Sequence, residues 1–189
     1  MYSFEIIDEK NMASFLTDSI IIANPAIGDV PKFKPIANRL VYIVEHNKDG
    51  AVGVSLNNNY IKPFNEIAEV LTVLKSVDPS MLLNDKLFGG GPLFTDRAWI
   101  LGKNKGKYSE TLTNDHLSLN FSLQAFSDNL PEHRSSCGIG TFGWGPGQLE
   151  KELGAQLWHY YPADPEALEA IPFEGSYKGA IDILKAMKA

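Results

Sequence analysis

The chain reads as an α+β domain with a mostly antiparallel or mixed sheet, and three observations carry that reading. Two β-branched runs, Leu40–Val44 and Ala51–Leu56, flank a short turn that ends at Gly50, the pattern of an antiparallel hairpin. Amphipathic helical segments fall between strands at irregular intervals, which argues against a strictly alternating parallel sheet. A length of 189 residues with 44% hydrophobic side chains suits one compact domain, residues 1–189, large enough to bury a core without metal or disulfide staples.

Each element has its own warrant. Ser19–Ala23 is a β-branched run closed by Asn24 and Pro25, which suits a buried strand leaving into a loop. In the hairpin, Gly50 supplies the positive φ that a short turn over His46–Gly50 needs. After Pro63, apolar Phe64, Ile67, Ala68, Leu71 and Leu74 recur at helical spacing until Asp78 and Pro79. Lys86–Phe88 and Ala98–Leu101 are short strands separated by the glycine-rich loop Gly89–Pro92, and Asn104–Asn114 is a polar exposed turn or hairpin. Leu117–Phe121 reads as a strand, Ser122–Asn129 as a serine-capped helix and Ile139–Phe142 as a strand. Pro146 opens a helix with Leu149, Leu153 and Leu157 on one face, and Trp158–Tyr161 is extended. Asp164 before Pro165 is an N-cap, and Tyr177–Lys188 closes the chain as an amphipathic helix.

Charge and cysteine usage narrow the function classes. Seventeen basic against 23 acidic side chains give a net charge of −6, with 9 against 12 in residues 1–100 and 8 against 11 in residues 101–189. Neither half is a basic module built to neutralise a phosphate backbone. Cys137 is the single cysteine, so no intramolecular disulfide forms, as in a reducing compartment. The first residues carry acids where a secretory signal has a basic region, and no uncharged apolar run approaches the ~18 residues of a membrane span. The expected location is the cytoplasm.

Motif by motif, no reaction emerges. Gly138, Gly140 and Gly143 match a dinucleotide-binding GxGxxG, yet the residues before them are polar and no helix begins inside the motif. The favoured reading is a strand whose glycines let a neighbouring backbone approach. Gly102–Lys107 misses the phosphate-binding loop pattern by one residue and has Tyr108 where a Mg²⁺-binding hydroxyl belongs. His46, His116, His133 and His159 lack metal-ligand spacing, so no metal and no cofactor are expected. Cys137 reads as a small buried hydrophobe.

Polar residues at strand ends form the more informative constellation: His46, Asn47, Asn57, Gly89, Gly90, Gly91, Pro92, Arg97, Trp144 and Gln148. As a ligand site, glycine amides and the Arg97 fork would cradle an anion while His46 or Gln148 orients it. As structure, the same residues hold turns and pair with carboxylates. Because the hairpin is antiparallel, His46 and Asn47 lie at the opposite end from Asn57, so one pocket holds them all only if the sheet curls strongly.

The order of these motifs resembles the bacterial YqgE/AlgH family over about residues 16–175. The resemblance rests on Asn24–Ala26 with Asp29 and Phe33, on Val41–Asn47 with Gly50–Gly53 and Asn57, and on Gly90–Pro92 with Asp96, Arg97, Ile100 and Leu101. It continues through Gly143, Trp144, Gly147–Glu150, Glu152 and Trp158. Thr141–Gly143 and the missing proline after Asn57 depart from the usual pattern in loop detail. The resemblance implies a partly barrel-like mixed sheet surrounded by helices, and a link to transcriptional regulation without a defined reaction. Mixed-charge helices in an acidic chain do not suit a DNA reader. The expected role is therefore a non-enzymatic, indirect regulator or interaction protein, with a protein partner and no membrane; the alternative is a small-ligand (anion or nucleotide) binding protein or enzyme using the strand-end loops.

Overall fold

A computed structural model describes residues 15–57, 59–63, 86–102, 111–113, 117–121, 134–162 and 177–187. Ten strands run in chain order: β1 (Ser19–Ala23), β2 (Leu40–Asn47), β3 (Gly50–Ser55), β4 (Asn59–Pro63), β5 (Lys86–Gly89), β6 (Leu93–Gly102), β7 (Thr111–Thr113), β8 (Ser118–Asn120), β9 (Arg134–Trp144) and β10 (Trp158–Pro162). Helix α1 (Gln148–Gly154) precedes β10 and α2 (Tyr177–Met187) ends the described chain. Two 3₁₀ turns, Pro25–Ile27 and Pro31–Phe33, fill the connection from β1 to β2.

The hydrogen-bonded path runs β10-β1-β2-β3-β9-β6-β8-β7, antiparallel at every step, with β4 paired to β5. Among the described residues the one parallel pairing is β5 on β9, through Phe88 with Gly138 and Gly89 with Ile139. Strand β9 is therefore shared: Phe142–Trp144 pair with β3, whereas Gly138 and Ile139 lie between β5 and β6. Among the described residues the path ends at β10 and β7, so the partly barrel-like expectation becomes an open sheet.

Side-chain alternation buries both faces of the β10-β1-β2-β3 half of the sheet. Ile20, Ile22, Leu40, Tyr42, Val54 and Leu56 pack with Trp99, Leu101 and Leu119 from β6 and β8, so one half of the sheet covers the other. Ile21, Ala23, Val41 and Ile43 pack with Phe142, Trp144, Leu149 and Trp158 on the opposite face. A run such as Ser19–Ala23, apolar at consecutive positions, is what burial on both faces requires. Helix α1 covers the second face through Leu149, and α2 meets the first through Tyr177 and Ile181. The expected cover of helices is thus two helices among the described residues; the segments expected at 64–75, 122–129 and after Asp164 lie outside them.

Several boundaries differ from the sequence expectations for local reasons. Strand β2 continues through His46 and Asn47, because Asn47 and Gly50 still pair and the turn itself is only Lys48 and Asp49. Gly50 has the expected positive φ, +134°, and an added Cβ would stand 2.1 Å from the Trp144 carbonyl oxygen. Thr111–Thr113, within the span expected as a turn or hairpin, pairs antiparallel with β8, and β4 is a strand with no counterpart among the expected elements. The proline-led helix starts two residues late at Gln148, leaving Leu157 beyond its end.

Candidate functional site

Most of the sequence-selected residues fall into two groups. A β-bulge between Ile43 and Glu45 inserts one residue into β2, and side-chain parity reverses beyond it. His46 consequently reaches the side of Leu16 and α1. The Leu16 amide donates to His46 Nδ1 at 2.9 Å, which leaves the proton on Nε2, and Nε2 donates to Glu150 Oε1 at 3.1 Å. The Phe15 ring meets the imidazole edge-on at 5.1 Å, and the side chain is 3% exposed. Glu150 Oε2 is buried without a hydrogen-bond partner.

Glu152, two residues further along α1, organises the tryptophans. Its Oε2 accepts from Trp144 Nε1 at 2.9 Å and Trp158 Nε1 at 2.7 Å, while its Oε1 accepts from Gln148 Nε2 at 2.9 Å. Gln148 Oε1 in turn accepts the Gly145 amide at 3.0 Å. Buried indoles need an acceptor, and one carboxylate serves both. Asn47 holds its turn by accepting from the Asp49 amide at 2.8 Å and donating to Glu45 at 2.6 Å. His46, Asn47, Trp144 and Gln148 are therefore engaged with protein groups.

The glycine tract lies elsewhere, where β5 and β6 meet β9. The Gly90 amide donates to the Ile139 carbonyl and its carbonyl accepts the Ser55 amide, both at 2.8 Å. Trp99 Nε1 donates to the Gly140 carbonyl at 2.6 Å. An added Cβ would lie 2.3 Å from Gly140 O at Gly90, and 2.2 Å from Thr141 C at Gly91. Gly140 has φ +74°, and its Cβ would stand 2.4 Å from Gly91 O. The GxGxxG letters thus mark interlocked backbones, as the sequence context suggests, and the Gly90 N–H is already bonded rather than open to an anion.

Beside this junction is a cleft of about 380 Å³ lined by Pro35, Arg39, Gly89, Gly91, Pro92, Thr95, Ile139 and Phe142. Arg39 is the residue that sequence reasoning misses. Its backbone is pinned: the amide donates to Ile36 O at 3.2 Å and the carbonyl accepts the Ala23 amide at 2.9 Å. Asn57 clamps both neighbours, accepting from the Leu40 amide at 2.9 Å and donating to the Asn38 carbonyl at 2.7 Å. The guanidinium makes one long bond, Nε to the Pro35 carbonyl at 3.4 Å, and no carboxylate among the described residues pairs with it. Burial lowers its pKa from the ordinary arginine value, and arginine nonetheless stays cationic near neutral pH. Arg97, expected from sequence to do this task, places its guanidinium over the Phe121 ring at 4.5 Å and is not among the lining residues.

With both groups placed, comparison with known proteins is informative. A model of the AlgH-like family matches residues 20–187. The chain belongs to this family. Among AlgH-like relatives, AlgH of Pseudomonas aeruginosa is 33% identical over 172 residues, covering 88% of this chain and 87% of its own. A Pseudomonas fluorescens protein is 37% identical over 166 residues, covering 84% of each. The solution structure of P. aeruginosa AlgH superposes with a TM-score of 0.71 at 30% identity, over 92% of this chain and 89% of the other. A Corynebacterium diphtheriae crystal structure, 21% identical, shares the fold with a TM-score of 0.64 over 90% and 86%.

For this AlgH-like chain, the motif carrying the resemblance explains the first group: Trp144, Gln148, Glu150 and Glu152 tie α1 to β2, β9 and β10. The second group unites Gly89, Gly91 and Pro92 with Arg39, and Asn57 supports it from behind. His46 lies at the other end of the hairpin from Asn57, and neither it nor Gln148, both expected to orient a ligand, is among the described lining residues. One signal could find Arg39. The β2–β3 register sets Val41 opposite Ser55, and two more residues on each strand set Asn57 beside Arg39. No group of three or more His, Cys, Asp or Glu side chains suited to a metal occurs among the described residues.

Proposed function

We propose that this protein binds a small anionic ligand in the Arg39 cleft and acts as an indirect regulator or interaction protein in the cytoplasm, its ligand state governing its partner. The observation that carries this reading is a half-buried guanidinium lacking a carboxylate partner among the described residues. Burying such a group without compensation is unfavourable, whereas a bound anion supplies both charge and hydrogen-bond acceptors. The site is preorganised, because the Asn57 clamp and the interlocked glycine backbones fix its walls before a ligand arrives. An acidic chain supports action through a ligand or a protein rather than through a DNA groove. A reducing compartment is supported by the single cysteine, Cys137, which is buried and outside any disulfide. No described helix is long and apolar enough to cross a membrane.

The test is a titration of the ¹⁵N-labelled chain with small carboxylates and phosphates, following amide shifts. Saturable changes at Gly89, Gly91 and Thr95 that vanish in Arg39→Gln are expected. Changes that are absent, or that persist unaltered in Arg39→Gln, would refute the site.

A further inference from the structure

Resting on the anion site just proposed, the lining also selects the ligand's class. Among the described residues, Arg39 is the only charged side chain that lines the cleft. The other described lining residues are uncharged: Pro35, Gly89, Gly91, Pro92, Thr95, Ile139 and Phe142. We infer that the ligand is a monocarboxylate with a flat, ring-sized apolar body.

Three features converge on that class. A planar guanidinium fork matches a carboxylate edge to edge, and a single fork neutralises a single charge. A nucleoside di- or triphosphate brings several negative charges, yet no lysine and no second arginine among the described residues lines the cleft. Leaving the surplus charge in a partly desolvated site would be unfavourable. The apolar lining has a complementary need: the exposed Pro35 and Pro92 offer flat hydrocarbon surface that a purely inorganic anion cannot cover. At about 380 Å³ the cleft is at the small end of ligand sites, which run from roughly 300 to 1,000 Å³. Phe142, one of the lining residues, stacks on Trp144 at 5.8 Å and meets Trp158 edge-on at 6.2 Å, so two fluorophores lie behind the cleft wall.

The experiment compares phenylacetate, its neutral analogue phenylacetamide, 4-methylpentanoate, inorganic phosphate and ATP on the intact chain. Amide shifts and tryptophan emission are read at millimolar probe, for wild type and Arg39→Gln, with thermal midpoints confirming that the variant is folded. Phenylacetate is expected to bind at least tenfold more tightly than phenylacetamide, phosphate or ATP, and to lose at least tenfold in Arg39→Gln. The branched acid is expected to bind more weakly than the flat one. Phosphate or ATP binding as tightly as phenylacetate through Arg39 would overturn the class and leave the anion site standing. Equal binding of phenylacetamide would overturn the carboxylate assignment. Tighter binding of 4-methylpentanoate than of phenylacetate would overturn the flat-ring body. Silence from every probe would overturn the class and the site together.

Discussion

The cluster around Glu150 and Glu152 and the cleft at Arg39 differ in how their polar groups are satisfied. In the cluster, two indole N–H groups, the Gln148 amide and the His46 imidazole each meet an acceptor, at 2.7 to 3.1 Å. At the cleft, the guanidinium keeps one 3.4 Å bond to the Pro35 carbonyl and pairs with no carboxylate among the described residues. The hydrogen-bonded network fixes the position of α1 and leaves Glu150 Oε2 buried without a partner; a cation in a concavity that has no carboxylate partner among the described residues has capacity left for a ligand. His46, Trp144 and Gln148, singled out in the sequence, are therefore engaged with protein groups here.

Substitutions can break or sharpen this contrast. The largest effect is expected where the backbones interlock: Gly140→Ala combines φ +74° with a Cβ placed 2.4 Å from Gly91 O, and a loss of about 4–5 kcal/mol is expected in chemical denaturation. That junction supports the cleft wall, so binding should fall with it. Glu152→Ala removes the acceptor of Trp144, Trp158 and Gln148 together; a loss of about 3–4 kcal/mol follows from the orphaned donors. Glu152→Gln keeps an acceptor oxygen and should recover some of it. Arg39→Gln is expected to change stability by less than about 1 kcal/mol, since it has no ion-pair partner among the described residues to lose. Its ligand affinity should nevertheless drop tenfold, and a stability loss as large as that of Glu152→Ala would erase the distinction between the regions.

The smallest effect concerns α2 and needs alkaline pH. Burial, reinforced by the neighbouring Tyr161 phenol, pushes the Tyr177 hydroxyl up to about 12, and that hydroxyl donates to the Ala23 carbonyl at 2.6 Å. The folded state thus favours the neutral phenol. Its contribution is fully present below the unfolded pKa near 10 and is lost as pH rises toward 12. Denaturation followed from pH 9 upward should show that loss in the wild type, and Tyr177→Phe should show a shallower slope with a neutral-pH deficit of about 1 kcal/mol.

Much of the fold is legible in the sequence because its signals are local. The apolar run Ser19–Ala23, the Gly50 turn and the amphipathic Tyr177–Met187 each specify their element within a few residues. Strand β4 escapes, and Thr111–Thr113 is read only as part of a turn or hairpin, because their pairing partners, β5 and β8, rather than their own composition, make them strands. The GxGxxG letters are resolved by context even in one dimension, since no helix starts inside them.

What only the tertiary structure decides is which strand ends meet. One inserted residue at Val44 turns His46 toward Glu150, a distant partner in sequence. Arg39 carries no motif at all; a proline-containing loop, the Asn57 clamp and the glycine junction converge on it from three separate stretches of the chain. Sequence by itself determines hydrophobic period, turn chemistry and family, because those reside in neighbouring residues and ordered motifs. Whether a polar side chain is satisfied depends on long-range packing, and that distinction separates the structural cluster from the candidate site.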